Sequence, residues 1–396
     1  MERIERAPIS TFRKINYADR PRSGHRVYVD ADYLYVLGGY SENDDIPNIH
    51  GELWKLHLQK RVWTMQTVNG MTDFASFGCI ADASGSFLVY GGTSIPFGFN
   101  LDERIHFGLQ GKDGLTVKSI TPKNEKDAVY GNVFLFDEKR KRYISMGGTL
   151  GRYFHMNVHA LERTSETDGN SWAWRQLNTS CEQMGRFRME AVIDGDSIIV
   201  FGGGQRRPIP DGLKNLLVYD LVQEKYTEVE TLPDPVHGFP PDRKCHGLAQ
   251  RGRSVSITGG CDGIINGTGN RALKIHKDCW TFNLDTRQWI RRADLNVSVF
   301  FHSSAFTEDG RLLVFGGITS NNPRLGTTTR TNITQFAWIE PPSLFTLAQL
   351  AIPIRLRSTL GDVSMREPST FMREASIRLN KSNEQAPQAK KQRSPS

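Results

Sequence analysis

The chain contains no apolar run of about 18 residues, the length a helix needs to cross a bilayer. Its opening, Met1-Glu2-Arg3-Ile4-Glu5-Arg6, places charges where a secretory leader needs an apolar stretch. A soluble, intracellular chain is therefore expected, cytoplasmic or nuclear, with no membrane contact. Cysteine is scarce, with five residues (Cys79, Cys181, Cys245, Cys261 and Cys279) and no Cys-x-x-Cys pair. An odd, scattered set supplies neither a disulfide framework nor a zinc site, so these thiols are expected to be reduced. No glycine-rich loop opens a helix, because Gly202-Gly203-Gly204 only follows a strand-like run, and a phosphate loop is excluded. No basic stripe interleaved with aromatics is present. The formal charge of +7 includes seven Lys/Arg against four Asp/Glu in residues 361–396, so the rest carries only +4. Nucleic acid is accordingly not an expected partner.

What the chain does have is an internal repeat. A short hydrophobic run ending in a glycine pair recurs at Gly38-Gly39, Gly91-Gly92, Gly147-Gly148, Gly202-Gly203, Gly259-Gly260 and Gly316-Gly317. The spacings are 53, 56, 55, 57 and 57 residues, near the roughly 50 of kelch blades with lengthened loops. Each pair follows a run such as Leu34-Tyr35-Val36-Leu37 or Ile198-Ile199-Val200-Phe201, rich in β-branched and aromatic residues. Glycine is required there if the strand end lies against neighbouring backbone. Downstream, an apolar strand, a short polar turn and an aromatic-led strand recur, as in Leu53-Trp54 followed by Trp63 and Trp280-Thr281-Phe282 followed by Trp289. Six repeats of this kind predict an all-β, six-bladed kelch β-propeller of four-stranded blades, with the large aromatics packed between them.

An open ring would leave one edge and two apolar faces bare. The last repeat has the strand Gln335-Phe336-Ala337-Trp338-Ile339 but no aromatic-led strand after it, whereas Phe12-Arg13-Lys14-Ile15 resembles the missing one. The N-terminal strand is thus expected to complete blade six.

A second feature recurs 16 residues before several glycine pairs, where Arg22, Arg186 and Arg243 stand, with Arg188 close by. Three residues further on come His25, Met189 and His246, and His302 holds a similar place in the last repeat. Repeats related by rotation turn such positions into a ring. Each arginine or histidine alone could tie a loop to a backbone carbonyl or a neighbouring blade. Four positive charges at one end of one axis point instead to an anionic ligand gripped by paired hydrogen bonds. Arg22, Arg186, Arg188 and Arg243 are the candidate carboxylate contacts, with His25, Tyr130, His246, Phe301 and His302 lining the pocket. The histidines are spaced as repeats and not as metal ligands, and no His/Tyr/Cys constellation of a copper radical oxidase is evident. No cofactor or metal is expected, and the chain reads as a binding protein and not an enzyme.

Past Ile339 the pattern changes. Pro341-Pro342 stops the strand, and Ser343 through Ala351 reads as a short helix whose Leu344, Ala348 and Ile352 fall at i, i+4 and i+8. The remainder, rich in Ser, Gln, Lys and Arg, is expected to be disordered. The organisation that follows is an extension (1–10), the propeller (11–340), a helical segment (341–361) and a basic tail (362–396).

Several segments resemble the kelch domain-containing protein 10 family: Pro21-Arg22-Ser23-Gly24-His25-Arg26, Tyr35-Val36-Leu37-Gly38-Gly39-Tyr40, Glu52-Leu53-Trp54, Gly91-Gly92-Thr93-Ser94-Ile95-Pro96-Phe97-Gly98, Cys245-His246 and Pro342-Ser343-Leu344. The resemblance spans roughly residues 20–352. It implies a substrate receptor of a cullin-2 RING ubiquitin ligase whose propeller captures free C-termini of substrates, often glycine-ended. It further implies that Leu344, Ala348 and Ile352 act as an elongin-binding box for elongins B and C, and that Ile352, Pro353, Leu356 and Leu360 act as a cullin-2 box. No BTB segment precedes the repeats, which argues against the cullin-3 class of kelch adaptor. The alternative is a kelch scaffold without a ligase, regulating a signalling enzyme or binding actin.

Overall fold

A computed structural model describes residues 12–339, apart from short internal stretches such as 16–19, 69–74, 96–98, 165–170, 179–184, 206–207, 210–211, 266–270 and 323–326. The extension 1–10, the segment 341–361 and the tail 362–396 lie outside the described residues. With them lie Leu344, Ala348, Ile352, Pro353, Leu356 and Leu360.

Six four-stranded antiparallel sheets follow one another along the chain. Blade 1 runs outward from the axis through Arg26–Val29, Tyr33–Leu37, Glu52–His57 and Trp63–Thr67. Blade 2 comprises Gly78–Ala81, Phe87–Tyr90, Ile105–Gly111 and Gly114–Ile120, and blade 3 Val133–Asp137, Arg142–Thr149, Phe154–Arg163 and Trp172–Asn178. Blade 4 comprises Glu190–Asp194, Ser197–Phe201, Asn215–Asp220 and Lys225–Glu230, and blade 5 Gly247–Arg251, Ser254–Thr258, Cys279–Asn283 and Trp289–Arg291. Blade 6 takes Ser303–Phe306, Arg311–Phe315 and Thr334–Trp338 from the end of the chain and its outermost strand, Arg13–Ile15, from the beginning. There Arg13 pairs with Phe336, Lys14 with Gln335 and Ile15 with Thr334, which is the closure the sequence predicts.

The apolar core lies between blades, one cluster to each interface. Trp54, Leu34 and Val36 of blade 1 meet Leu313, Phe315 and Phe336 of blade 6. Tyr90, Phe107 and Leu88 meet Phe134, Tyr143 and Trp174 between blades 2 and 3, and Phe201 and Leu216 meet Trp280, Phe282 and Trp289 between blades 4 and 5. Trp289 is fully buried and donates its indole N–H to the Leu213 carbonyl at 2.9 Å, so a large ring is enclosed without an unmet donor. The paired glycines occur where the second strand of each blade ends. A Cβ on Gly203 would lie 2.5 Å from the Cβ of Met189, and one on Gly260 or Gly317 2.8 Å from the Cβ of His246 or His302. The same glycines hold left-handed φ values of 82°, 91° and 98°, so both space and backbone demand glycine.

The sequence reading does not anticipate one element. In blades 1, 2, 5 and 6 the link between second and third strands folds into its own hairpin: Tyr40–Asn43 with Ile46–Ile49, Thr93–Ile95 with Phe99–Leu101, Cys261–Ile265 with Arg271–Ile275, and Ile318–Asn322 with Thr327–Arg330.

Candidate ligand-binding face

The loop that enters each innermost strand carries one left-handed residue. These are Gly24, Ser76, Gly131, Arg188, Cys245 and Phe301, with φ between 55° and 71°. Four of the six are not glycine, and that backbone region is disfavoured for them unless the surroundings hold it. Here a closed chain of main-chain bonds does so. Each N–H donates to the carbonyl of its counterpart one blade back: Gly24 to Phe301 at 2.9 Å, Ser76 to Gly24 at 2.7 Å, Gly131 to Ser76 at 2.6 Å, Arg188 to Gly131 at 2.8 Å, Cys245 to Arg188 at 3.0 Å and Phe301 to Cys245 at 2.9 Å. The ring fixes one end of the axis.

The four candidate arginines divide against this frame. Arg22, Arg186 and Arg243 precede the ring residues and turn into their own blades, each giving Nη1 to the carbonyl of the first paired glycine: Gly38 at 3.0 Å, Gly202 at 3.4 Å and Gly259 at 2.9 Å. In blades 1 and 5 an acid and a tryptophan complete the brace. Arg243 forks onto Asp278 at 2.6 and 2.8 Å, and Asp278 also accepts the Trp280 indole at 2.8 Å. Arg22 lies 3.6 Å from Glu52, which accepts the Trp54 indole at 2.8 Å. Burial lowers the Arg22 guanidinium to about 10 and the arginine–acid pair holds Asp278 below the usual carboxylate range against its own burial. These three are blade braces, each tying a loop to a carbonyl, and Glu52-Leu53-Trp54 and Asp278-Cys279-Trp280 are the sequence signal for the complete form.

Arg188 differs. As a ring residue of blade 4 it projects across the axis, donates Nη2 to the Ser76 hydroxyl of blade 2 and stacks 4.4 Å over the Phe301 ring of blade 6. It has no carboxylate partner among the described residues, and its Nε is buried without an acceptor. Burial lowers its guanidinium to about 10, with Cys245 the leading opposing influence, so it remains a cation at neutral pH. A desolvated guanidinium with no carboxylate in contact is a strong attractor of one.

The histidines belong to the frame as well. His25 donates Nε2 to the Phe315 carbonyl at 3.1 Å, and His302 Nε2 accepts the Gly247 N–H at 3.1 Å. His246 is 2% exposed and has no hydrogen-bond partner at either ring nitrogen. Burial drives all three below the ordinary histidine range, His246 and His302 to about 3. They are neutral packing groups. Tyr130 and Phe301 stand at the face: Tyr130 is half-buried with its ring 6.3 Å from Phe187 edge-on, and Phe301 supports Arg188.

The residue just before each ring position bridges the residue just after each glycine pair, as in Ser23 with Tyr40, Tyr130 with Thr149, Lys244 with Cys261 and Phe300 with Ile318. The four hairpins therefore rise from the same end as Arg188. Sequence reasoning missed Ser76, Lys244 and Arg330 here. Lys244 lies 5.2 Å from the Phe187 ring and donates to the Gln205 carbonyl at 2.6 Å, while Arg330 lies 4.3 Å over Tyr40 and bonds Ser23 Oγ at 3.0 Å. A register search finds the first two at the ring and pre-ring positions, but Arg330 has no counterpart to announce it. The face is thus aromatic and cationic. Beneath it the Arg26–Glu190 pair, 2.6 Å apart, spans blades 1 and 4 beside a cavity of about 210 Å³ lined by the innermost strands.

Six blades, each with a glycine pair at the end of its second strand, and a loop face at one end of the axis define a kelch-type β-propeller. No protein-family model matches the sequence. Kelch domain-containing protein 10 of Rattus norvegicus is 31% identical over 345 residues, covering 83% of this chain and 78% of that protein, and the Homo sapiens protein is 31% identical with 72% of its length covered. The Drosophila melanogaster homologue is 29% identical and has 52% of its length covered. The chain belongs to the kelch domain-containing protein 10 family. The relatives are kelch repeat proteins, as this chain with its six blades is.

Proposed function

We propose that this chain is the substrate-recognition subunit of a cullin-2 RING ubiquitin ligase and that its hairpin-bearing face captures the free C-terminus of partner proteins. The observation that carries the reading is Arg188, a half-buried cation on the axis whose Nε is buried without an acceptor and which pairs with no carboxylate among the described residues. A terminal carboxylate supplies the missing anion and accepts two parallel N–H bonds, whereas an internal peptide bond leaves the guanidinium uncompensated. Tyr130 and Phe187, both half-buried, offer apolar surface to the residues before the terminus, and a glycine end is favoured. Recruitment is assigned to residues 341–361, with Leu344, Ala348 and Ile352 contacting elongins B and C and Ile352, Pro353, Leu356 and Leu360 contacting cullin-2.

Peptide binding by fluorescence anisotropy tests the capture step. Free-carboxylate peptides ending in glycine should bind, and amidation or Arg188→Gln should each weaken binding about 10- to 100-fold, the worth of one charge-assisted contact. Equal affinity for the acid and the amide would refute carboxylate capture. Co-purification with elongins B and C, lost in Leu344→Asp, tests recruitment separately.

A further inference from the structure

Cys245 and Cys261 meet at the floor of the same face. Cys245 is a ring residue with φ 56°, and its predecessor Lys244 exchanges both backbone bonds with Cys261, at 3.1 and 2.9 Å. This register sets the two thiols side by side beneath the face. Both side chains are buried, in one apolar cluster with Phe300 and Ile318. They are the one pair of cysteines sharing a cluster among the described residues; Cys79, half-buried, and Cys279, buried, lie in other clusters.

Their surroundings also differ in charge. Burial pushes the Cys79 and Cys279 thiols up to about 12. At Cys245 burial acts the same way, but the neighbouring Cys261 and the nearby Arg188 and Lys244 cations outweigh it, and the thiol is lowered. The adjacent Cys245 and burial raise the Cys261 thiol well above its ordinary range. One sulfur is set up as the nucleophile and its neighbour as the group that resolves it.

We infer that Cys245 and Cys261 form a dithiol that hydroperoxides oxidise to a disulfide. The Cys245 thiolate attacks one peroxide oxygen, forming an S–O bond as the O–O bond breaks, and the departing alkoxide, or hydroxide from hydrogen peroxide, takes a proton from solvent. The Cys261 sulfur then attacks the sulfenic sulfur, and the hydroxyl leaves as water with the Cys261 proton. Two thiols and one hydroperoxide give one disulfide, one alcohol or water, and one water, with two electrons passing from sulfur to oxygen. A dithiol reductant reverses the change. The inference goes beyond carboxylate capture and stands whatever ligand the face takes.

The full chain is treated with hydrogen peroxide, remaining thiols are blocked with N-ethylmaleimide, and non-reduced peptides are mapped by mass spectrometry. A cross-link joining the peptides of Cys245 and Cys261 should form before Cys79 or Cys279 is modified and disappear with dithiothreitol. In Cys261→Ser, shown to be folded by circular dichroism, Cys245 should stop at the sulfenic acid and be trapped by dimedone. Absence of the cross-link in the wild-type chain, or oxidation of Cys79 and Cys279 as fast as Cys245, overturns the inference. Neither readout uses a peptide ligand, so its failure is separable from failure of carboxylate capture.

Discussion

Two arginines two positions apart, Arg186 and Arg188, have opposite fates because neighbouring residues of one loop point in different directions. The first turns into its blade and reaches the Gly202 carbonyl, while the second, held left-handed by the ring, reaches the axis. This separates a structural role from a binding role by experiment. Arg243→Gln strands the buried Asp278 carboxylate and should lower unfolding free energy by about 3–5 kcal/mol in urea titrations, the usual cost of breaking a buried pair. Arg188→Gln breaks no ion pair and should move the urea midpoint far less while weakening peptide capture about 10- to 100-fold. The sequence reveals the 16-residue offset but not which way each side chain turns, so it groups all four arginines as ligands. The brace becomes legible only when Glu52-x-Trp54 and Asp278-x-Trp280 are read together with their arginines, because an acid and an indole give the guanidinium an internal destination.

Among the elements, the blades were readable and the hairpins were not. Glycine pairs are obligatory where a Cβ has no room, so they mark every second strand, and the count of six follows from them. The hairpins grow from stretches such as Tyr40-Ser41-Glu42-Asn43 that lack apolar alternation, so no pattern announces them. The left-handed ring is equally silent, since Ser76, Arg188, Cys245 and Phe301 hold their backbone through tertiary bonds and not through local preference. The closing strand was legible because a blade lacking its outermost strand is an incomplete sheet. It covers blade 6 with three residue pairs and carries Phe12 into the cluster between blades 5 and 6, where the Asn296 side chain donates to its carbonyl at 2.7 Å. Deleting residues 1–15 should bare the edge Thr334–Trp338 and that cluster, and the variant should self-associate in multi-angle light scattering. A stable monomer would show that the closing strand is dispensable.

At the scale of the molecule, buried histidines at repeated positions couple blade packing to acidity. Folding holds His246 and His302 at about 3 against an ordinary 6.5, and His25 is lowered also. The unfolded chain therefore binds more protons below pH 6.5. Stability is complete above that value and falls as pH drops from about 6.5 toward 3, by up to ~1.4 kcal/mol per pH unit for each such histidine. Urea titrations across this range should show the slope, and His246→Met, which copies Met189 at the equivalent place in blade 4, should reduce it. A slope unchanged by that substitution would move the acid sensitivity elsewhere. The axial ring carries a different consequence. Its six links use main-chain atoms alone, so glycine, serine, arginine, cysteine and phenylalanine all occupy the same socket without altering the architecture. Selectivity is thereby decoupled from folding: mutation can exchange the side chains around the axis one socket at a time, and a lineage of such propellers can change what it recognises without first having to re-evolve how it closes.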